Sequence, residues 1–384
     1  MSAHPQPAEG GVSSRGIFTP ELLERCISCG FCLPACPTYQ LTKDEDSSPR
    51  GRINLMRALE DGTLADDDPT VVEESSFCLG CRACEPVCPA GVRYGAMLEE
   101  WRDHTWTRRR RPLKLRALLW AVDRRWRVRA MGAVRGHARR GGADGPAGDG
   151  AGGEAPQLML GCFERALYPK VSRAVRRIAP EVRVTPAQGC CGALHAHNGE
   201  LERGRELAER LGEELPGPIV TTAGGCAAHL AGMLGRDRVR ELSEWLAERD
   251  GAADETDGDP ADGGEARAGE KRLRVGLQDS CHLRNGMHVW LEPRALIARV
   301  AEYVELPTAA SCCGAAGTYA TLRPHDSARI LDRKLDEIEA ADVDVVVAVN
   351  PGCLRQLQQG LRRRHLRTRA LHLAELLAEH AGAT

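Results

Sequence analysis

The rhythm of apolar and polar positions changes several times along the chain, and each change predicts an element. ELLERC at 21–26 reads as a short helix that runs into a cysteine loop. SPRGRINLMRALEDG at 48–62 reads as a second helix, opened by the Ser48-Pro49 turn, with Ile53, Met56 and Leu59 at helical spacing. Within 108–140, Leu115, Leu118, Leu119, Val122 and Trp126 fall on one helical face. Beyond residue 156, short apolar runs alternate with helical stretches. QLMLGC (157–162), IVTTAGGC (219–226), RVGLQDSC (274–281) and VVVAVNPGC (345–353) read as strands that end in cysteine. RVRELSEWLAE (238–248) and TRALHLAELLAE (368–379) read as closing apolar helices.

These later elements occur twice. The segments 157–249 and 272–384 are copies of one another, and VRVTPAQGCCG at 182–192 aligns with YVELPTAASCCG at 303–314. Strand–helix alternation implies an α/β layer with parallel strand pairs. The cysteines then sit at the C-terminal ends of strands, where such layers place ligands. Two stretches interrupt the pattern. GGADGPAGDGAGGEAP at 141–156 is a Gly/Ala linker, and 251–270 carries seven acids against one Arg. Neither has the apolar surface to fold, and the Pro-, Gly- and Ser-rich residues 1–16 are expected to be disordered.

Chemistry concentrates in the cysteines. CISCGFCLPACP at 26–37 and CLGCRACEPVCP at 78–89 are both C-x2-C-x2-C-x3-C-P. That spacing makes two [4Fe–4S] clusters, in which three sulfurs of a run wrap one cluster and the fourth reaches across to the other. Cluster 1 takes Cys26, Cys29, Cys32 and Cys88; cluster 2 takes Cys36, Cys78, Cys81 and Cys84. Zinc or disulfides are the bland alternative, but zinc tolerates many spacings and does not call for two identical runs ending in Cys-Pro. Arg50 and Arg52 either offset the thiolate charge or simply begin a solvated helix. In the repeats, Cys162, Cys190, Cys191 and Cys226 match Cys281, Cys312, Cys313 and Cys353. Each set is a candidate metal or redox site, provided Gly192 and Gly314 let the chain turn so that adjacent cysteines face one point. Buried structural thiols are the alternative. His195, His197, His229 and His282 lie near these cysteines and are not assigned as ligands.

Composition narrows the setting. A chain of 384 residues makes two or three domains, and a net charge of −2 argues against a nucleic-acid binder. Sixteen cysteines behind a polar N-terminus without a signal sequence imply a reducing compartment, so a cytoplasmic location is expected. No apolar run approaches the ~18 residues that cross a bilayer. In 108–140, thirteen Arg and Lys face one acid, Asp123, and four of the six Trp lie between 101 and 126. This basic segment has three readings: a helix packed on its own protein, a docking site for a partner, or a peripheral contact with the inner face of a membrane.

The tandem CCG repeat resembles the cysteine-rich domain of heterodisulfide reductase subunits. The full order, an eight-Cys ferredoxin followed by two such repeats, resembles the iron–sulfur subunit of glycolate oxidase, with SPRGRI at 48–53, SCCGAAGTY at 311–319 and NPGC at 350–353 strengthening the match. The resemblance implies an α+β multidomain fold. An α-helical two-cluster ferredoxin (17–107) leads through the basic segment (108–140) and linker (141–156) to two α/β CCG domains with short parallel sheets (157–250 and 272–384), joined by the acidic linker 251–271. It also implies an electron-transfer subunit of an oxidoreductase, not catalytic alone. The partner is an FAD-containing hydroxy-acid oxidase chain, and the acceptor a quinone or another molecule. D-lactate and glycerol 3-phosphate dehydrogenases share this layout. A thiol–disulfide reductase and a scaffold with structural clusters are the other function classes. One departure counts against the reductase: its repeats end in C-x-x-C, whereas here Ala223 and Asn350 replace the first Cys of that pair.

Overall fold

The structure is a computed structural model and describes residues 14–134, 155–251 and 272–382. The expected tail up to residue 13, most of both linkers and the end of the basic segment lie outside these residues. Ser14 to Gly16, assigned to the tail, are instead anchored. Glu60 accepts from the Ser14 hydroxyl and the Gly16 N–H, each at 2.6 Å, and Arg15 grips Asp66.

The first unit is helical, and no strand occurs among its described residues. Its helices are Pro20–Glu24, Pro37–Thr42, Pro49–Glu60, Pro69–Phe77 and Tyr94–Arg108. Proline opens four of them, at the position where its missing N–H costs nothing. Ser48 and Asp68 cap two, accepting from Gly51 and Thr70 N–H groups. The predicted Ile53, Met56 and Leu59 stripe packs on Val71, Met97, Leu98 and Trp101. Each such side chain contributes roughly 1.5–3 kcal/mol of burial.

The basic segment is two helices, Leu113–Asp123 and Arg125–Val134, rather than one. Leu115, Leu119 and Val122 are buried as expected, but Trp126 is 62 % exposed. The break at Arg124 resets the helical phase, so the spacing that put Trp126 on the apolar face no longer applies. Asp123, the single acid, pairs with Arg203 of the first repeat at 2.6 Å. No helix of the described residues is long and apolar enough to cross a membrane.

The first repeat forms a parallel sheet in the order β1-β2-β3, from β1 (Gln157–Met159), β2 (Ile219–Thr221) and β3 (Val239–Glu241). The second forms a parallel sheet in the order β5-β4-β6-β7, from β4 (Arg274–Gln278), β5 (Glu302–Val304), β6 (Val345–Ala348) and β7 (Arg369–His372). A single parallel bridge, Gln157 to Arg183, stands in the first repeat where β5 stands in the second. The closing segments are therefore not wholly helical. Each begins as a strand, β3 or β7, and only then becomes helix, Leu242–Arg249 or Leu373–Ala381. Val239, Ala370 and His372 are buried, and parallel pairing with β2 and β6 satisfies their backbone groups. A run of four residues is too short for its period to announce this.

The two repeats exchange support. Helix Pro169–Ile178 of the first packs on Leu373–Ala381 of the second, and Leu291–Val300 of the second packs on Leu242–Arg249 of the first. One core joins them, containing Leu158, Val220 and Leu242 from the first with Val275, Val345 and Leu373 from the second.

Candidate electron-transfer site

Both ferredoxin runs adopt the same loop. Ser28 and Gly30 of the first, and Gly80 and Arg82 of the second, hold φ at 56°, 88°, 65° and 59°. Left-handed backbone at the same two positions curls each run round its own sulfurs. Cys26, Cys29, Cys32 and Cys88 line one cavity of about 30 Å³, together with Cys84. The last cysteine of the second run thus lies at the first loop. Conversely, Cys36 lies close enough to Cys81 and Cys84 to act on both electrostatically, along with Cys78. Cys36, Cys78, Cys81 and Cys84 are all buried, whereas Cys29 is exposed.

The two arginines of the Pro-Arg-Gly-Arg turn serve different sites. Arg52 is fully buried beside Cys36 and Cys78, donates to Glu74 at 3.0 Å and to the Thr38 hydroxyl at 3.0 Å, and so places a fixed positive charge behind that set. Thr38 in turn contacts the Cys36 sulfur at 3.2 Å. Arg50 stays near the surface, donating to the Ser28 carbonyl over the first loop at 3.2 Å.

In the repeats the four cysteines form a chain of sulfur contacts. Cys162 meets Cys190, Cys190 meets Cys191, and Cys191 meets Cys226 at 3.2 Å. Cys281, Cys312, Cys313 and Cys353 link in the same order. Strands β1, β2, β4 and β6 deliver Cys162, Cys226, Cys281 and Cys353 just beyond their C-terminal ends. Gly192 and Gly314 make the turn that brings the CC pair in, with φ of 86° and 84°. A Cβ on Gly192 would lie 2.1 Å from the Gly204 carbonyl oxygen, and one on Gly314 2.7 Å from that of Ser327. The following N–H groups, Gly192 and Gly314, point at Cys190 and Cys312 at 3.5 and 3.4 Å.

The donor chemistry of all four sets fits iron–sulfur centres. Thiols gathered this closely resist ionising alone: burial pushes Cys32 up to about 11 and holds Cys81 and Cys84 well above the usual thiol range. Four ionised sulfurs together need cationic iron, and the buried Arg52 and the backbone N–H groups are the surroundings that stabilise a negatively charged centre. Within the first repeat Cys190 is the thiol pulled well below its usual range, by hydrogen bonds from Cys162 and Cys191.

The sets are contiguous. Among the charged neighbours of Cys81, Cys281 of the second repeat acts most strongly, and Cys81 shares a small core with Cys312, Leu79 and Tyr319. The Asn285 side chain donates to the Cys81 carbonyl at 2.9 Å. The first repeat joins through Arg102, which donates to the carbonyls of Ser75, Cys78 and His197.

Family comparisons agree with this arrangement. Residues 22–92 match the 4Fe-4S dicluster domain, and 157–231 and 275–358 match the cysteine-rich CCG domain. A probable glycolate oxidase iron-sulfur subunit of Bacillus subtilis (strain 168) is 37 % identical over 94 % of this chain and 94 % of its own. The chain belongs to the glycolate oxidase iron–sulfur subunit family. The glycolate oxidase iron-sulfur subunit of Escherichia coli (strain K12) is 29 % identical over 90 % of this chain and 92 % of its own. A fumarate reductase (CoM/CoB) polypeptide of Methanothermobacter marburgensis is 26 % identical over 92 % of this chain and 72 % of its own. Membership in this family carries iron–sulfur clusters and the role of a non-catalytic oxidoreductase subunit.

Three histidines left unassigned by sequence reasoning do come together. His197 and His282 rings lie 5.0 Å apart and His197 and His229 rings 6.2 Å apart, with Glu99 bonded to His197 Nδ1 at 2.6 Å. His195 is separate, bonded to Glu200. Burial drives His282 down to about 3, so it stays neutral beside Cys281. Each histidine comes from a different part of the chain, and only nearness to cysteine in sequence hinted at them.

Proposed function

We propose that the chain is the electron-transfer subunit of a flavin-linked 2-hydroxy acid oxidase, with glycolate as the substrate of the complex. Contiguity carries this reading: thiol sets run from the exposed Cys29, through the buried set of Cys78, to Cys281 of the second repeat. Cys26, Cys29, Cys32 and Cys88 would hold one [4Fe–4S] cluster, and Cys36, Cys78, Cys81 and Cys84 a second; the two repeat sets would hold further centres. When bound, such clusters accept and release electrons one at a time. The chain's own residues set burial, fixed charge and spacing. Ile27 and Phe31, 68 % and 66 % exposed, flank Cys29 and form an apolar face suited to the flavoprotein partner. Electrons would leave toward a quinone or another acceptor, and Trp120 and Trp126, exposed among arginines, fit a peripheral membrane contact.

The test is Cys36→Ala in the intact chain. Iron content and EPR should show loss of the centre held by Cys78, Cys81 and Cys84, with the centre of Cys36's own run retained. Electron delivery from the complex should fall sharply, while the isolated wild-type chain should oxidise no hydroxy acid. Turnover of glycolate by the isolated chain, or unchanged delivery in Cys36→Ala, would refute the relay.

A further inference from the structure

A cavity of about 220 Å³ opens where the helical unit and both repeats meet. Leu98, Leu115, Leu194 and Trp106 give it apolar walls, and Cys78 forms part of its lining. Met233, 47 % exposed, stands at its edge. Two polar atoms in the lining are buried with no hydrogen-bond partner: the Tyr319 hydroxyl, from the second repeat, and His197 Nε2, from the first. Tyr319 is itself 4 % exposed. Buried polar atoms are rarely left unpaired, and two in one cavity mark a ligand with a polar group at each of two places.

The surroundings define that ligand. Glu99 accepts from His197 Nδ1, which leaves Nε2 for the cavity. Burial alone would push Glu99 up, but the hydrogen bond from His197 and the nearby imidazoles pull it down, so it is a carboxylate that fixes the His197 ring by its Nδ1 side. Arg102 is committed to three backbone carbonyls and Arg82 to Glu85, while Arg93, the third arginine of the lining, is exposed. The histidines do not close on an ion position. The apolar walls and the two unpartnered atoms suit a flat, mostly apolar molecule with an oxygen at each of two places, next to the Cys78 thiol.

Resting on the electron-transfer reading above, we propose that this cavity binds a quinone ring, one oxygen at the Tyr319 hydroxyl and the other at His197 Nε2. Reduction takes two electrons, which arrive singly from the iron–sulfur side at Cys78, and two protons from solvent. Both carbonyls become hydroxyls, and the quinol leaves.

The experiment uses the full-length chain with its iron in place and a fluorescent quinol mimic, heptyl-hydroxyquinoline N-oxide, whose emission is quenched on binding. Saturable binding at one site per chain is expected. Tyr319→Phe and His197→Gln should each weaken it about tenfold by removing one hydrogen bond, and Leu194→Trp should abolish it by filling the cavity. Iron content equal to wild type certifies each variant, and Tyr319→Phe keeps the shape of the side chain it replaces. Unchanged affinity in both single variants, absence of binding to the iron-replete wild type, or displacement of the probe by glycolate would overturn the proposal. Bleaching of the chain's visible absorbance by the reduced flavoprotein partner tests the relay separately. Bleaching without probe binding defeats only the quinone site, and probe binding without bleaching defeats only the relay.

Discussion

The two CCG repeats share one plan and use it differently. Their sulfur chains, CCG turns and strand ends correspond one to one, yet it is the second whose cysteines, Cys281 and Cys312, lie against the buried ferredoxin set. The replaced fifth cysteine differs too. Asn350 donates to the Cys353 sulfur at 3.7 Å, whereas Ala223 offers nothing to Cys226. The thiols differ as well. Cys190 is lowered in the first repeat. In the second, the hydrogen bond from Cys281 pulls Cys312 down, but Cys313 and burial outweigh it and leave it raised. Duplication supplied two sets of thiols, and position relative to the ferredoxin decided which of them meets its buried sulfurs.

The largest effect that would sharpen this comparison is at the shared turn. Gly192→Ala and Gly314→Ala should each cost about 3 kcal/mol or more, from positive φ together with a Cβ driven into a carbonyl. The penalty should be greater for Gly192, whose Cβ approaches to 2.1 Å against 2.7 Å. Denaturant midpoints and iron content read it, and equal, small losses would show that the turn adapts.

A second difference is in acid–base behaviour. Equivalent positions at the ends of β3 and β7 cap the closing helices: Glu241 accepts from the Ser243 N–H, and His372 from the Ala374 N–H. His372 then donates from Nε2 to the Thr222 carbonyl at 2.9 Å, across the repeat boundary. Burial raises Glu241 from 4.5 to about 8 and lowers His372 from 6.5 to about 4. Folded Glu241 keeps a proton that the unfolded chain has lost, so its contribution to stability falls as pH rises from 4.5 to 8. Folded His372 refuses a proton that the unfolded chain takes up, so its contribution falls as pH drops from 6.5 to 4. The two slopes, each about 1.4 kcal/mol per pH unit, oppose one another between 4.5 and 6.5. Glu241→Gln should remove the loss on the alkaline side and His372→Asn the loss on the acid side, checked by stability measured across pH. Parallel curves for wild type and variants would refute the assignment.

The smallest expected effect is at the missing cysteine. Asn350→Ala should leave iron content intact and change stability by less than about 1 kcal/mol. Loss of the N–H contact to sulfur should lower the reduction potential of the centre at Cys353, while Ala223→Ser should barely move the centre at Cys226. Potentiometric titration followed by EPR separates the two.

Much of this was legible in the chain itself. The Cys runs and the CCG duplication are local patterns with fixed spacing, and helix Pro49–Glu60 follows from a cap, a proline and a helical stripe. Strands β3 and β7 were not legible, because VRE and RALH gain their strand character from a parallel neighbour distant in sequence. The phase break at Arg124 hid the exposure of Trp126. The cavity was the least readable feature: Cys78, His197 and Tyr319 belong to three segments, and nothing local says that two of their polar atoms end without partners.

The exchanged helices also set a timetable for synthesis. Helix Pro169–Ile178 finds its partner only when Leu373–Ala381 has left the ribosome, on the order of ten seconds or more later. Until then the first repeat presents an unfinished apolar face, with its cysteines held near a core that is only half assembled. The nascent chain therefore waits for helix Leu373–Ala381 before either repeat can mature, and loss of that helix would leave the first repeat as incomplete as the second.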